Sequence, residues 1–217
     1  MTDRTHIATL HAQLMAALPA LDPADRRLSL ALYRRLSEGA PVVLATLAAE
    51  KGRSAEHAVR RVRRWPGVYY DAERRVVGYW GLALARMVHR LRIDARELYA
   101  WCAWDTLFLP ALLGRAIEVS SVCRATGQPV ELSVSPREIA SATPRGLVVS
   151  FLVPDAGAVR EDVITSFCHY VHFFVSADTA QPWLAEHPGT FLLTLGEAYE
   201  LGRRRNRALY GAELGFG

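Results

Sequence analysis

Apolar residues in the first 80 positions recur mainly at the spacing of amphipathic helices. Asp22 and Pro23 predict the start of the first helix, since they supply a capping carboxylate and a proline in the first turn. A second helix is predicted over residues 41–49. The buried face of the first helix is predicted to contain Leu28, Leu32 and Leu36.

A third helix is predicted to begin after Ser54, whose hydroxyl can cap it, and to end at Pro66. Residues 68–70 and 75–80 then predict two short strands about a turn. Three helices followed by two strands are typical of a winged helix-turn-helix unit, so residues 1–80 are predicted to form a winged-helix-like N-terminal domain. One face of the third helix is basic, with Arg53, His57, Arg60 and Arg64.

The pattern changes after residue 80, where short apolar runs and alternation with polar residues predict strands. The spaces between these strands are short, which favours antiparallel pairing. Residues 81–217 are therefore predicted to form an α+β domain, a core of short antiparallel strands with helices. Strands are predicted over residues 117–119, 130–134 and 147–153, and helices over residues 178–186 and 193–210.

Composition places the chain among ordinary globular proteins, with 51% apolar and 22% charged residues in a length of 217. The start lacks a basic segment followed by a long apolar run, and charges interrupt every candidate membrane span. We therefore expect a cytoplasmic protein without a membrane partner. Three cysteines without a secretion signal predict reduced thiols rather than a disulfide framework.

Positive charge is concentrated in the first part, where residues 1–80 contain 13 Lys and Arg against 8 Asp and Glu. Together with the basic face of the third helix, this excess suggests a first alternative function, a winged-helix DNA-binding, metal-responsive regulator. The excess of positive charge is small, however, and residues 81–217 are too many for a small effector domain attached to a DNA-binding unit. We therefore expect no nucleic-acid partner.

A thiol and a carboxylate occur close together just after residue 100, in Cys102 and Asp105. The residues Asp94-Ala95-Arg96-Glu97 have the spacing of a capping box and predict a helix that ends near Pro110. On that helix Cys102 and Asp105 would share the inward face with apolar residues. Burial would raise the pKa of Asp105 and make it a candidate proton donor. The alternative is an aspartate that accepts a backbone hydrogen bond in a partly wet site.

A second thiol, Cys168, lies in the run Phe167-Cys168-His169-Tyr170-Val171-His172-Phe173-Phe174. A buried cysteine is ordinarily a small apolar residue, but two thiols in aromatic settings could bind a soft metal together with a carboxylate. Cys123 continues the alternation of a predicted strand and is assigned to packing. A second alternative is a zinc site formed by Cys102, Asp105, Cys168 and His172.

Two runs closely resemble the organomercurial (alkylmercury) lyases of bacterial mercury resistance. They are Tyr99-Ala100-Trp101-Cys102-Ala103-Trp104-Asp105-Thr106-Leu107-Phe108 and Cys168-His169-Tyr170-Val171-His172-Phe173-Phe174. The resemblance extends over nearly the whole chain, and a Cys-x-x-Asp paired with a distant Cys-His is a fairly specific combination. It implies a helical, winged-helix-like first part and an antiparallel core.

The resemblance also implies an activity, the protonolysis of the carbon–mercury bond of alkyl and aryl mercurials. Cys102, Asp105 and Cys168 would be catalytic and would bind mercury as substrate and product, with Asp105 as proton donor, and Cys123 would be structural. Thiolate is the softest protein ligand, which suits mercury. No cofactor is expected. Cellular thiols would release the Hg(II) product, and a mercuric reductase would accept it.

Overall fold

The computed structural model describes residues 4–18, 20–52 and 54–215. The helices are α1 (Arg4–Ala17), α2 (Pro23–Leu36), α3 (Leu44–Glu50), α4 (Ala55–Val62), α5 (Asp105–Leu113), α6 (Ala156–Ser166), α7 (Ala177–Glu186) and α8 (Leu195–Tyr210). The strands are β1 (Val68–Tyr70), β2 (Val76–Tyr79), β3 (Leu82–Ala83), β4 (His89–Ile93), β5 (Arg96–Ala100), β6 (Ile117–Val122), β7 (Pro129–Val134), β8 (Ile139–Thr143), β9 (Val148–Leu152), β10 (Phe173–Phe174) and β11 (Thr190–Thr194).

Two antiparallel sheets form the framework. The larger has the strand order β1-β2-β3-β5-β4-β6-β7-β8, and the smaller has the order β10-β9-β11. Alternation in β6 and β7 places Ile117, Val119, Val130 and Leu132 in the core. The α+β prediction is thereby confirmed. Within the described ranges, no helix has both the length and the apolar character that a membrane span requires.

The N-terminal helices begin where their caps predict, with one exception. Asp22 accepts the backbone N–H of Asp25 at 2.8 Å at the start of α2, and Ser54 accepts the N–H of His57 at the start of α4. Helix α3 begins at Leu44 instead of near residue 41, because Val42 forms an antiparallel β-bridge with Val76.

The two wing strands are part of the larger sheet. Strands β1 and β2 pair with each other, and β2 pairs with β3 through Gly78↔Ala83 and Tyr79↔Leu82. The sheet thus runs across residue 80, the predicted boundary between the two domains. A single apolar core contains residues from both sides of this position, among them Leu32 and Leu107.

The prediction of a helix that begins at Asp94 is wrong. Asp94 has φ +53° and lies in the two-residue connection between β4 and β5, where Ile93 pairs with Arg96. Aspartate tolerates this left-handed conformation better than most residues, and it is common in tight hairpins. Residues 96–100 therefore form a strand, and the helix begins only at Asp105. Capping-box spacing and a hairpin turn use the same polar residues, so local sequence does not separate them.

Helix α7 agrees with the prediction, whereas α8 begins two residues later than predicted. Leu193 lies in β11, and Thr194 caps α8 by accepting the N–H of Glu197 at 3.2 Å. Helices α1 and α6 have no counterpart in the prediction. Helix α6 buries only two apolar residues, Val159 and Val163, and contains Asp162 in a non-helical conformation (φ −155°, ψ 103°), so its periodic pattern is weak.

Candidate active site

Cys102 and Asp105 are joined by a hydrogen bond at the start of α5. Cys102 lies in the turn between β5 and α5, and Asp105 is the first residue of the helix. The carboxylate Oδ2 of Asp105 accepts the backbone N–H of Cys102 at 2.8 Å. The three-residue spacing therefore belongs to a closed turn rather than to the predicted longer helix. The carboxylate and the thiol nevertheless lie on the same side of the chain, and both are buried.

Cys168 comes from a later segment of the chain and lies close to this turn. It begins a short 3-10 turn, Cys168–Tyr170, just after α6. The N–H of Ala103 donates to the carbonyl of Val171 at 3.2 Å and joins the two segments. As a result, the Sγ atoms of Cys102 and Cys168 and a carboxylate oxygen of Asp105 lie within 4.8 Å of one another. Two thiols and one carboxylate at this distance can bind one soft metal ion.

Burial controls the protonation of these three groups. It raises the pKa of the Cys102 thiol well above its usual value, and the hydrogen bond to Cys168 and the charge of Asp105 act in the same direction. For Cys168, the hydrogen bond from Cys102 lowers the pKa, but burial and the charge of Asp105 outweigh it and raise the pKa overall. Both thiols are therefore protonated near neutral pH while the site holds no metal.

Asp105 has the properties of a group that can both accept and donate a proton near neutral pH. Burial raises its pKa from 3.8 to about 6, although hydrogen bonds from Cys102 and the charge of Arg205 oppose the shift. A carboxyl group in this range exchanges protons efficiently at cellular pH. The prediction of a raised pKa for Asp105 is thus in agreement with the structure.

A small, mostly apolar pocket is lined by Asp105 and Cys168. Its volume is ≈ 20 Å³, which is space for about one water molecule. Trp104 packs edge-on against Phe108, with 4.9 Å between ring centroids, and also contacts Phe151 and Phe167. Such walls limit the access of bulk water to Asp105 and Cys168. The lining includes Leu14, Leu18, Trp80, Gly81, Trp101 and Val163.

Arg205 is a buried cation on this pocket, with 2% of its surface exposed. Its guanidinium lies 4.3 Å from the centroid of the Phe108 ring and donates to Asn206 Oδ1 at 2.8 Å. Asn206 in turn donates to the carbonyl of Phe108 at 2.9 Å. In the sequence Arg205 is one of three consecutive arginines at the end of a helix, and no local signal distinguishes the buried one. The same holds for Leu14 and Gly81, which reach the site only through the fold.

Comparison with known families agrees with this site. Residues 82–206 match the sequence model of a family described as alkylmercury lyase, and residues 9–80 match that of the helix-turn-helix domain of alkylmercury lyase. The chain belongs to the alkylmercury lyase family. Both the resemblance inferred from the two sequence runs and the interpretation as an enzyme are confirmed.

Individual members of the family are similar over most of their length. An alkylmercury lyase of Staphylococcus epidermidis is 44% identical over 172 residues, which cover 79% of this chain and 78% of the relative. One of Streptomyces lividans is 39% identical over 178 residues, covering 82% and 81%. The crystal structure of the mercury-bound form of MerB2 superposes with a TM-score of 0.72 at 25% identity, covering 95% of this chain and 100% of the other. The family fold, with a helical N-terminal part before an antiparallel core, is therefore present here.

His172 does not join the three groups, so the four-ligand zinc alternative is wrong for this structure. In the described part of the chain, Cys102, Asp105 and Cys168 are the only group of three or more His, Cys, Asp or Glu side chains close enough together to share an ion. Val171 is extended (φ −112°, ψ 99°), which ends the helical spacing from Cys168 on which the alternative depended. The Nε2 atom of His172 instead contacts the carbonyl of His169 at 2.7 Å.

Cys123 lies apart from the three groups, in a small apolar cluster with Phe174, Ala180 and Trp183. It follows β6, and its backbone N–H donates to the carbonyl of Gln128 at 2.8 Å. This environment is consistent with the packing role that the strand alternation predicts.

The basic face predicted for the third helix includes Arg53, which lies outside the described residues. Arg60, a residue of this predicted face, is ion-paired with Glu56. Arg61, which follows it in α4 but is not part of the predicted face, is paired with Asp22 and Asp25. These pairs neutralise part of the positive charge on this surface. DNA binding stays an untested alternative.

Proposed function

We propose that the chain cleaves the carbon–mercury bond of alkyl and aryl mercurials by protonolysis, with Cys102 and Cys168 holding mercury and Asp105 relaying the proton. The observation that carries this proposal is the triangle of two thiols and one carboxylate, all buried and within 4.8 Å of one another, beside a mostly apolar pocket. Mercury-bound MerB2, a solved relative with the same fold, supports mercury as the ion.

The first step is capture of the organomercury cation. The cation replaces the protons of Cys102 and Cys168, so two sulfur–mercury bonds form and two protons are released. Asp105 takes one of these protons, since its pKa of about 6 leaves the carboxylate mostly ionised at pH 7. The other proton leaves with solvent or with the departing ligand of the mercurial. The bound complex then has one negative charge, and the buried cation Arg205 faces the same pocket.

The second step transfers the proton to carbon. Two thiolates donate electron density to mercury, which makes the attached carbon more basic. The carbon–mercury bond breaks with its electron pair remaining on carbon, and carbon takes the proton from Asp105. The products are a neutral hydrocarbon and Hg(II) on two thiolates, while Asp105 is again a carboxylate. No atom changes oxidation state in a way that needs an external oxidant or reductant, so the reaction requires no redox cofactor.

The product step depends on exchange with external thiols. A dithiolate complex of Hg(II) dissociates slowly by itself, so an incoming thiolate must attack the metal while a protein thiol leaves. We propose cellular thiols and a mercuric reductase as acceptors, within a mercury-resistance pathway of the cytoplasm. Three free cysteines, all buried, fit a reducing compartment.

The decisive experiment incubates the purified protein with phenylmercury and excess dithiol and measures benzene by gas chromatography. Benzene in catalytic amounts, with inorganic mercury transferred to the dithiol, is the expected result. A double variant, Cys102→Ala with Cys168→Ala, provides the control for reaction without the site. Absence of benzene above this control would show that the proposed activity is wrong.

A further inference from the structure

The turn between β2 and β3 is strained and faces the start of α5. Trp80 and Gly81 form this turn, and both have positive φ, +33° and +95°. Three hydrogen bonds hold it: Tyr33 Oη donates to the carbonyl of Trp80 at 2.9 Å, the N–H of Trp80 donates to the carbonyl of Gly67 at 3.0 Å, and the N–H of Trp101 donates to the carbonyl of Gly81 at 3.1 Å. A non-glycine residue with positive φ costs free energy, so Trp80 persists here because its surroundings impose this conformation.

Gly81 lies directly against the Asp105 carboxylate. A Cβ atom added to Gly81 would lie 2.5 Å from Asp105 Oδ1 and 2.6 Å from its Cγ, closer than real Cβ atoms approach. The other oxygen, Oδ2, accepts the N–H of Cys102. One carboxylate oxygen is thus held by a hydrogen bond and the other is packed against a bare backbone carbon. No other side-chain identity at position 81 leaves this space.

We propose that the Trp80–Gly81 turn is the positioning element for the Asp105 carboxylate, and that it couples the N-terminal helices to proton delivery. This inference rests on the proposed function, because it assigns a role in the step in which Asp105 protonates carbon. Tyr33 belongs to α2, so its hydrogen bond to Trp80 connects the N-terminal helices to the site. Gly81 and Tyr33 are positioning residues, since neither supplies a reacting atom.

The test separates capture of the mercurial from release of the hydrocarbon in Gly81→Ala. Capture is measured as phenylmercury retained per chain after gel filtration, and release as benzene formed in a single turnover with dithiol. We expect near-normal capture, because both thiols are unchanged, and benzene release slower by about 10²-fold, the usual effect of misplacing a reacting group by about 1 Å. A lost fold is checked by circular dichroism.

Gly189→Ala is the matched control. Gly189 has nearly the same backbone conformation, φ +91°, and is exposed with nothing within 4 Å of an added Cβ. It therefore introduces the same backbone strain without touching Asp105. Both capture and release should remain at the wild-type level in this variant.

A milder pair keeps the inference testable if Gly81→Ala does not fold. Tyr33→Phe removes the hydrogen bond to the Trp80 carbonyl, whereas Tyr210→Phe removes a buried hydrogen bond of 2.8 Å to Ser29 in the same region and leaves the hydrogen bonds of the turn itself in place. We expect Tyr33→Phe to slow benzene release roughly 3- to 10-fold with capture intact. Tyr210→Phe should leave release unchanged.

The outcomes distinguish this inference from the proposed function. If Gly81→Ala releases benzene as fast as Gly189→Ala, the positioning role is refuted while the lyase activity stands. An equal loss of capture and release would also refute it, because the turn would then shape the mercury site rather than the acid. If the wild-type protein itself releases no benzene, the proposed function fails, and the positioning role fails with it.

Discussion

Asp105→Asn should make the protein more stable at pH 8 while strongly slowing hydrocarbon release. Burial raises the pKa of Asp105 from 3.8 to about 6, so the folded state holds this proton more tightly than the unfolded state does. The ionised carboxylate is therefore destabilising. Its full cost applies above pH 6, decreases as the pH falls from 6 towards 4, and is absent below about pH 4.

The magnitude follows from the size of this shift. A change from 3.8 to about 6 corresponds to about 3 kcal/mol, at 1.36 kcal/mol per pKa unit. Asparagine is neutral and of equal size, and its oxygen can still accept the N–H of Cys102. The gain should thus approach 3 kcal/mol at pH 8, or roughly 6–12 °C in Tm for a chain of this length. If the side-chain amide introduced by Asp105→Asn finds no hydrogen-bond acceptor, the gain in stability will be smaller.

The assay compares urea unfolding of wild type and variant at pH 4 and pH 8. The stability difference should be large at pH 8 and near zero at pH 4. Asp162→Asn serves as a control of opposite sign: burial raises the pKa of Asp162, but hydrogen bonds from Tyr69 and the N–H of Ile164 outweigh it and lower the pKa overall. That variant should lose stability at pH 8. An Asp105→Asn protein no more stable than wild type at pH 8, or a difference independent of pH, would refute the reasoning.

Further predictions concern the thiols and the competing function. In single turnover, Asp105→Asn should still capture phenylmercury, but its benzene release should fall about 10²- to 10⁴-fold, the usual contribution of a general acid, and normal release would contradict its role. Cys102→Ala and Cys168→Ala should each remove activity measured as benzene, since mercury keeps one protein thiolate, and near-normal turnover in either would contradict the site. Cys123→Ala should retain most activity and lose stability by roughly 1 kcal/mol in urea unfolding, because it removes a small buried group. Without added thiol, benzene should stop at about one per chain with mercury still bound; repeated turnover would disprove release by exchange. Filter binding should detect no salt-dependent affinity for duplex DNA, and a steep salt dependence would favour the regulator.

Local sequence alone determined the elements whose signals lie within a few residues. The caps at Asp22 and Ser54 and the alternation around Ile117 and Val130 each depend on neighbours in the chain, and the structure has these elements where they are predicted. The candidate site could also be predicted from the sequence, because the resemblance to a family rests on two short runs that contain Cys102, Asp105 and Cys168.

Tertiary structure decided how those residues meet. Asp94 favours either a helix cap or a hairpin turn, and pairing of β4 with β5 selects the turn. Cys102 and Asp105 consequently share a side through a hydrogen-bonded turn rather than through helical spacing. Burial of Arg205 beside the exposed Arg203 and the half-buried Arg204, and the contact of Gly81 with Asp105, depend on segments far apart in the chain. Periodicity reports which face of an element is buried, but not which distant group it is buried against. For Asp105, the distant segments packed around it set the pKa and the position of the carboxylate.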